Sequence, residues 1–114
     1  MKYLAYTMID KEEHEYVAFI DRFEKVNIKE IKNSDELSHE LKTVFMPIIS
    51  SLNGAMKIDQ VKELGKMCHA AGMTYELPMF IDISKDLIGF ADRFDVINIK
   101  KVLHDLAYIV NEKF

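Results

Sequence analysis

The sequence of 114 residues holds four glycines, two prolines, one cysteine and no tryptophan. Without more glycine there is no GxGxxG or GxxxxGK loop, so a standard nucleotide-binding loop of exposed backbone N–H groups is excluded. The single cysteine, Cys68, has no partner for an intramolecular disulfide. His14, His39, His69 and His104 form no HxxH or HExxH pair, and Met46, Met56, Met67, Met73 and Met79 share no tight spacing. Neither zinc nor copper chemistry is therefore expected, and no other cofactor is implied. Charge of one sign is also missing: 15 basic residues face 19 acidic ones, for a net charge of −4. That balance offers no basic stripe for nucleic acid and no polybasic anchor for a membrane. Long apolar runs are absent too. The first, Tyr3 to Ile9, has seven residues, too short for a secretory signal or a membrane span of roughly 18–20 residues. A cytoplasmic address follows as the expectation.

What is present is a well-patterned globular sequence. Apolar residues make up 49%, which argues against disorder, and the length fits one domain spanning 1–114. The pattern repeats as a short apolar run, a capping residue and a helical period. Tyr3–Ile9 reads as a strand, followed by Asp10 and Glu13 in capping-box spacing and by Tyr16, Val17, Phe19, Ile20 and Phe23 at helical spacing. Val26, Ile28 and Ile31 suggest a second strand, and Ser34 caps a helix carrying Leu37 and Leu41. Val44–Ile49 is a third apolar run, its strand starting after Pro47. Ile58, Val61, Leu64, Cys68 and Ala71 share one helix face, with Gly72 placed to end it. Met79-Phe80-Ile81 after Pro78 reads as a fourth strand, and Ser84 as the cap of a helix carrying Leu87, Ile88, Ala91 and Phe94. Val96–Ile99 makes a fifth strand before a helix lined by Val102, Leu103, Leu106, Ile109 and Val110. The resulting βαβαβαβαβα order predicts an α/β fold: a three-layer, doubly wound, five-stranded parallel sheet. The Phe19–Lys29 and Phe90–Lys100 segments echo one another where a helix gives way to a strand; similar structural contexts explain this more simply than duplication.

In this order the chain resembles a response-regulator receiver domain of the CheY-like class, with strand order 2-1-3-4-5. The resemblance is carried by Met8–Glu13, Ile28–Leu37, Pro78–Ile81 and Ala91–Phe94. It implies a pocket at the strand ends lined by Asp10, Lys11, Ser50, Ser51, Asp82, Ser84, Asn98 and Lys100. A working receiver holds Mg²⁺ with clustered acids and stabilises a phosphoryl group with a lysine. Here Lys11 follows Asp10, Ser50 or Ser51 stands at the acceptor position and Asn98 at the lysine position. The phosphorylation pocket is thus degraded, with no catalytic residue and no metal. The same resemblance implies a partner surface of Lys85, Asp86, Lys100, Lys101, His104 and Tyr108.

Two further segments carry chemistry of their own. Ser38-His39-Glu40-Leu41-Lys42-Thr43 matches the phosphoacceptor box of sensor histidine kinases over six residues, continuing with Val44-Phe45 in place of Pro-Leu. As a phosphotransfer site, His39 requires exposure on a helix and a partner kinase; otherwise it is a surface histidine. Cys68-His69 does not make a nucleophile–base pair, because neighbours on a helix point about 100° apart. The function expected is a non-catalytic, receiver-like signalling or regulatory module that binds a protein, with homodimerisation left open. The alternatives are a small α/β enzyme or DsrE-like sulfur carrier using Cys68, or a structural subunit of a larger complex.

Overall fold

The computed structural model describes Phe23 and residues 25–114. Among these residues there is no strand. They form a helical bundle, and this corrects the expected five-stranded parallel sheet, the CheY-like class and the receiver resemblance together. The expected first strand, Tyr3–Ile9, and the helix after it, apart from the buried Phe23, lie outside the described residues.

A 3₁₀ turn, Ile28–Glu30, stands where the second strand was expected. Helix α1 then comprises Ser34–Glu40, a π turn at Leu41–Phe45, and Met46–Gly54, with αR backbone at both junctions. The third expected strand, Val44–Ile49, lies inside it. Leu37, Leu41, Phe45 and Ile49 are all buried at four-residue spacing. On a regular α-helix a row at that spacing drifts around the axis. A π turn rotates less per residue, because each bond spans one residue more, and it returns the row toward one face. It also lies just ahead of Pro47, whose ring would clash in a regular helix with the Thr43 carbonyl four residues back.

Helix α2, Ile58–Thr74, buries Val61, Leu64, Gly65, Cys68, Ala71 and Gly72. Helix α3, Pro78–Asp92, begins with Pro78 in its first turn, where a missing N–H is harmless. It buries Phe80, Ile83, Ser84, Leu87, Phe90 and Ala91, a helical period throughout. The fourth expected strand is therefore its first turn, and Ser84 lies within the helix instead of capping it. Helix α4, Val96–Lys113, starts at Asp95, whose side chain accepts from the Asn98 N–H. Its first turn is the fifth expected strand. Ile99 is buried and Ile97 is 70% exposed. A strand would have put these two residues on one face; a helix separates them.

The most extensive contact joins α2 to α3. A β-carbon on Gly65 would meet Ile88, and one on Gly72 would meet Ile81. Numbers rising on α2 match numbers falling on α3, so the pair is antiparallel. Lys62 on α2 also reaches Asp92 on α3 at 2.9 Å. The glycines let the two backbones approach closely. Both helices of this hairpin end in Schellman motifs. Leu77 N–H donates to the Gly72 carbonyl at 2.8 Å, and Asp95 N–H donates to the Phe90 carbonyl at 2.9 Å. The left-handed position falls on Glu76 (φ 56°) after α2 and on Phe94 (φ 54°) after α3. Gly72, expected to end its helix, serves instead as a point of close packing.

Candidate interaction surface

The residues assigned to a strand-end pocket do not share one row. Asp10 and Lys11 lie outside the described residues. Ser50 and Ser51 are exposed on the last turns of α1, Asp82 is half-buried and Ser84 buried on α3, and Lys100 is exposed on α4. The Asn98 amide donates to Asp95 Oδ2 at 2.8 Å, so it reinforces the start of α4. Among the described residues there are no strand ends to gather these side chains.

The residues assigned to a partner surface divide differently. Lys85 is exposed and Asp86 half-buried on α3. Lys101, His104 and Tyr108 follow one another at three- and four-residue steps on α4, and all three are exposed. Ile97 and Lys100 extend this outer stripe toward the start of the helix. Its opposite face buries Ile99, Val102, Leu103, Leu106, Ile109 and Val110.

At the turn that feeds this stripe stands Phe94, 72% exposed. Its neighbour Arg93 places its guanidinium 5.2 Å from the Phe90 ring centre, a cation–π contact. The exposed apolar residues were missed in the sequence. Phe94 falls one helical step after Ala91 and reads as core, and Ile97 sits in an apolar run. The available signal was the α4 period itself, which includes Ile99 and excludes Ile97.

Phe94 is unusual on two counts. A side chain with a β-carbon in the left-handed region costs about 1–2 kcal/mol, and a large aromatic ring in water gains nothing from burial. Phe94→Gly is accordingly expected to stabilise the folded chain by about 1 kcal/mol. The check is the urea midpoint of native and variant protein. Unchanged or lower stability would mean that the ring packs.

Other features offer less chemistry. A concavity of about 390 Å³ lies between residues 25–32 and the α2–α3 turn, where Tyr75, Glu76 and Leu77 line it. Lys32 and Glu76 form an exposed ion pair at 3.5 Å there. The Tyr75 hydroxyl donates to Glu40 Oε1 at 3.0 Å; burial, then this carboxylate, raises its pKa. Cys68 is fully buried, and burial pushes its thiol up to about 12. Among the described residues no three His, Cys, Asp or Glu side chains cluster as metal ligands. Among the same residues no helix is long and apolar enough to cross a membrane.

No protein-family model, no curated protein and no solved structure matches the chain.

Proposed function

We propose that the chain is a signalling or regulatory module that acts by binding a protein partner, and that the partner docks on the outer face of α4 and the turn before it. The observation that supports this reading is the exposure of Phe94 and Ile97, at 72% and 70%, one in the connection before α4 and the other in the first turn of α4. Buried aromatic and aliphatic anchors dominate binding energy at protein interfaces, and a strained backbone retained around an exposed ring is an outlier that binding would explain. The test is affinity capture with native protein and with a Phe94→Ser/Ile97→Ser variant, followed by binding of the purified partner to each. A partner held by the native chain and bound at least about tenfold more weakly by the variant supports the reading, since two anchors should carry ~1.4 kcal/mol or more. Equal binding by both proteins sinks it. Because both side chains face water, the variant should melt within a few degrees of native.

A second reading is favoured by the placement of His39. The segment matching the phosphoacceptor box is helical throughout, and His39 is exposed on α1. Lys42, one turn on, supplies a nearby cation, its Nζ donating to the Phe114 carbonyl at 2.7 Å. In this reading an incoming phosphoryl group is accepted by the His39 imidazole. With phosphoramidate as donor, its P–N bond breaks, a new P–N bond forms to the ring, and ammonia leaves. Labelling concentrated on His39 over His69 and His104, and lost in His39→Gln, is the expected result. Even labelling across the chain's histidines overturns it.

A further inference from the structure

We infer that the α4 face takes an acidic, apolar-anchored helical segment of a partner protein; this rests on the interaction reading above and names its partner's chemistry. Ile97, Lys101, His104 and Tyr108 form a row about 16 Å long, three helical turns. That is the length over which a second helix can lay its own side chains along a ridge. The row carries apolar anchors at both ends, with Lys101 and His104 between them and Lys100 alongside: both lysines are exposed cations, and the His104 side chain is 79% exposed. Arg93 adds a further exposed cation at the preceding turn.

The acidic residues nearest the two lysines in sequence are engaged elsewhere or lie beside His104. Asp92 is drawn to Lys62 at 2.9 Å. Asp95 caps α4, accepting from the Asn98 N–H at 3.2 Å and from its amide at 2.8 Å. Asp105 is turned inward and 8% exposed, with His104 Nδ1 at 3.7 Å. Among the described residues this leaves Lys100, Lys101 and Arg93 as exposed cations beside Ile97 and Phe94, on a chain whose net charge is −4. Opposite charge on the partner steers its approach and fixes its register, and the apolar ends hold it. An anionic bilayer or a phosphate backbone would meet the acidic remainder of the chain as well, whereas a slender helix meets only this face.

The test uses the full chain and three synthetic peptides of about four helical turns. Each has Leu at positions 1, 5, 8 and 12; the remaining positions are mainly Glu in the first, Gln in the second and Lys in the third. Binding is followed through backbone amide chemical shifts and fluorescence anisotropy. The expected result is saturable shifts along Ile97, Lys101, His104 and Tyr108 with the Glu peptide, weakened by added salt and weakened about tenfold in Lys100→Glu/Lys101→Glu. Preference for the Gln or Lys peptide on the same face overturns the acidic chemistry and leaves the interaction reading standing. No shift of this face with any peptide overturns both. Two controls address other occupants. Phosphatidylserine vesicles that shift this face more strongly than the Glu peptide overturn the proposal in favour of a membrane. Concentration-dependent dimerisation that Lys100→Glu/Lys101→Glu abolishes overturns it in favour of a second copy.

Discussion

Valine at Gly72 is expected to lower stability by about 3 kcal/mol and the melting temperature by on the order of 15 °C. Where α2 crosses α3 here, a β-carbon would stand 2.7 Å from Ile81 Cγ1, 3.0 Å from the Ile81 nitrogen and 3.0 Å from the Leu77 carbonyl oxygen. Two of these atoms are backbone and cannot rotate away. The helices must therefore separate, and the Leu77 N–H bond to the Gly72 carbonyl, 2.8 Å long, is strained with them. Overpacking alone costs roughly 1–3 kcal/mol, and a weakened helix end adds about 1. In a domain of this size each kcal/mol moves the midpoint by roughly 4–8 °C. Gly65→Ala provides the contrast. Its new methyl would meet only the Ile88 side chain, at 2.7 and 3.2 Å for Cγ1 and Cδ1, with the Ser84 carbonyl farther off at 3.5 Å. Ile88 has to shift as a side chain, at some cost because its χ1 is restricted in a helix, but alanine in place of glycine gains about 1 kcal/mol of helix propensity that offsets it. Gly65→Ala is thus expected to fall within about 1 kcal/mol of native. Thermal melts followed by circular dichroism separate the two. Equal stability of Gly72→Val and native protein would show that the α2–α3 contact is looser than described.

The pair of helices that this substitution tests was half legible in the sequence. The buried face of α2 is readable from Val61, Leu64, Cys68 and Ala71, and that of α4 from Val102, Leu103, Leu106, Ile109 and Val110, because four or five apolar residues at three- and four-residue steps admit one period. The errors arose where apolar residues open a helix. Met79-Phe80-Ile81 and Val96-Ile97-Asn98-Ile99 are the first turns of α3 and α4. A run of three or four residues has too few members to separate period 2 from period 3.6, so each helix was read as a strand followed by a shorter helix. Repeated along the chain, that division imitates βα units, and the receiver resemblance was built on the imitation. Pro47 and Pro78 argue against it: neither residue suits a central strand, whereas Pro78 suits the opening of α3 and Pro47 is accommodated within α1 just after the π turn. The π turn at Leu41–Phe45 obscured α1 further, since its buried residues step by four. The candidate surface was legible in part. Lys101, His104 and Tyr108 share a face because they belong to one helix, although they were grouped through a fold the chain does not have. Phe94 escaped because a Schellman motif ordinarily places glycine at that position, and no local signal marks the substitution of an aromatic residue.

Raising the pH from 9 to 12 is expected to remove about 3 kcal/mol of stability through Cys68 alone. The thiol is fully buried on α2, and burial raises its pKa from 9.0 to about 12. Above pH 9 the unfolded chain releases this proton while the folded chain keeps it. The folded state then binds more protons, so stability falls as pH rises, by about 1.4 kcal/mol per unit until the folded thiol itself ionises near pH 12. Below pH 9 both states are protonated and the contribution is complete. Tyr75, raised by burial and by Glu40, acts in the same direction above pH 10. Cys68→Ala separates the two. The cavity should lower its stability by about 1–2 kcal/mol at every pH, but between pH 8 and pH 10 it should lose distinctly less than native protein. Urea titrations at the two pH values measure the difference, and parallel losses would place the alkaline sensitivity elsewhere. The same burial bears on chemistry. A sulfur carrier needs its thiolate at the surface, since the thiolate is the nucleophile. Native protein at pH 8 should therefore react with an aromatic disulfide reagent only as fast as it opens, orders of magnitude more slowly than in urea. Rapid labelling of the folded chain would return Cys68 to consideration as a reactive group and would contradict the packing of α2 against α3 described above.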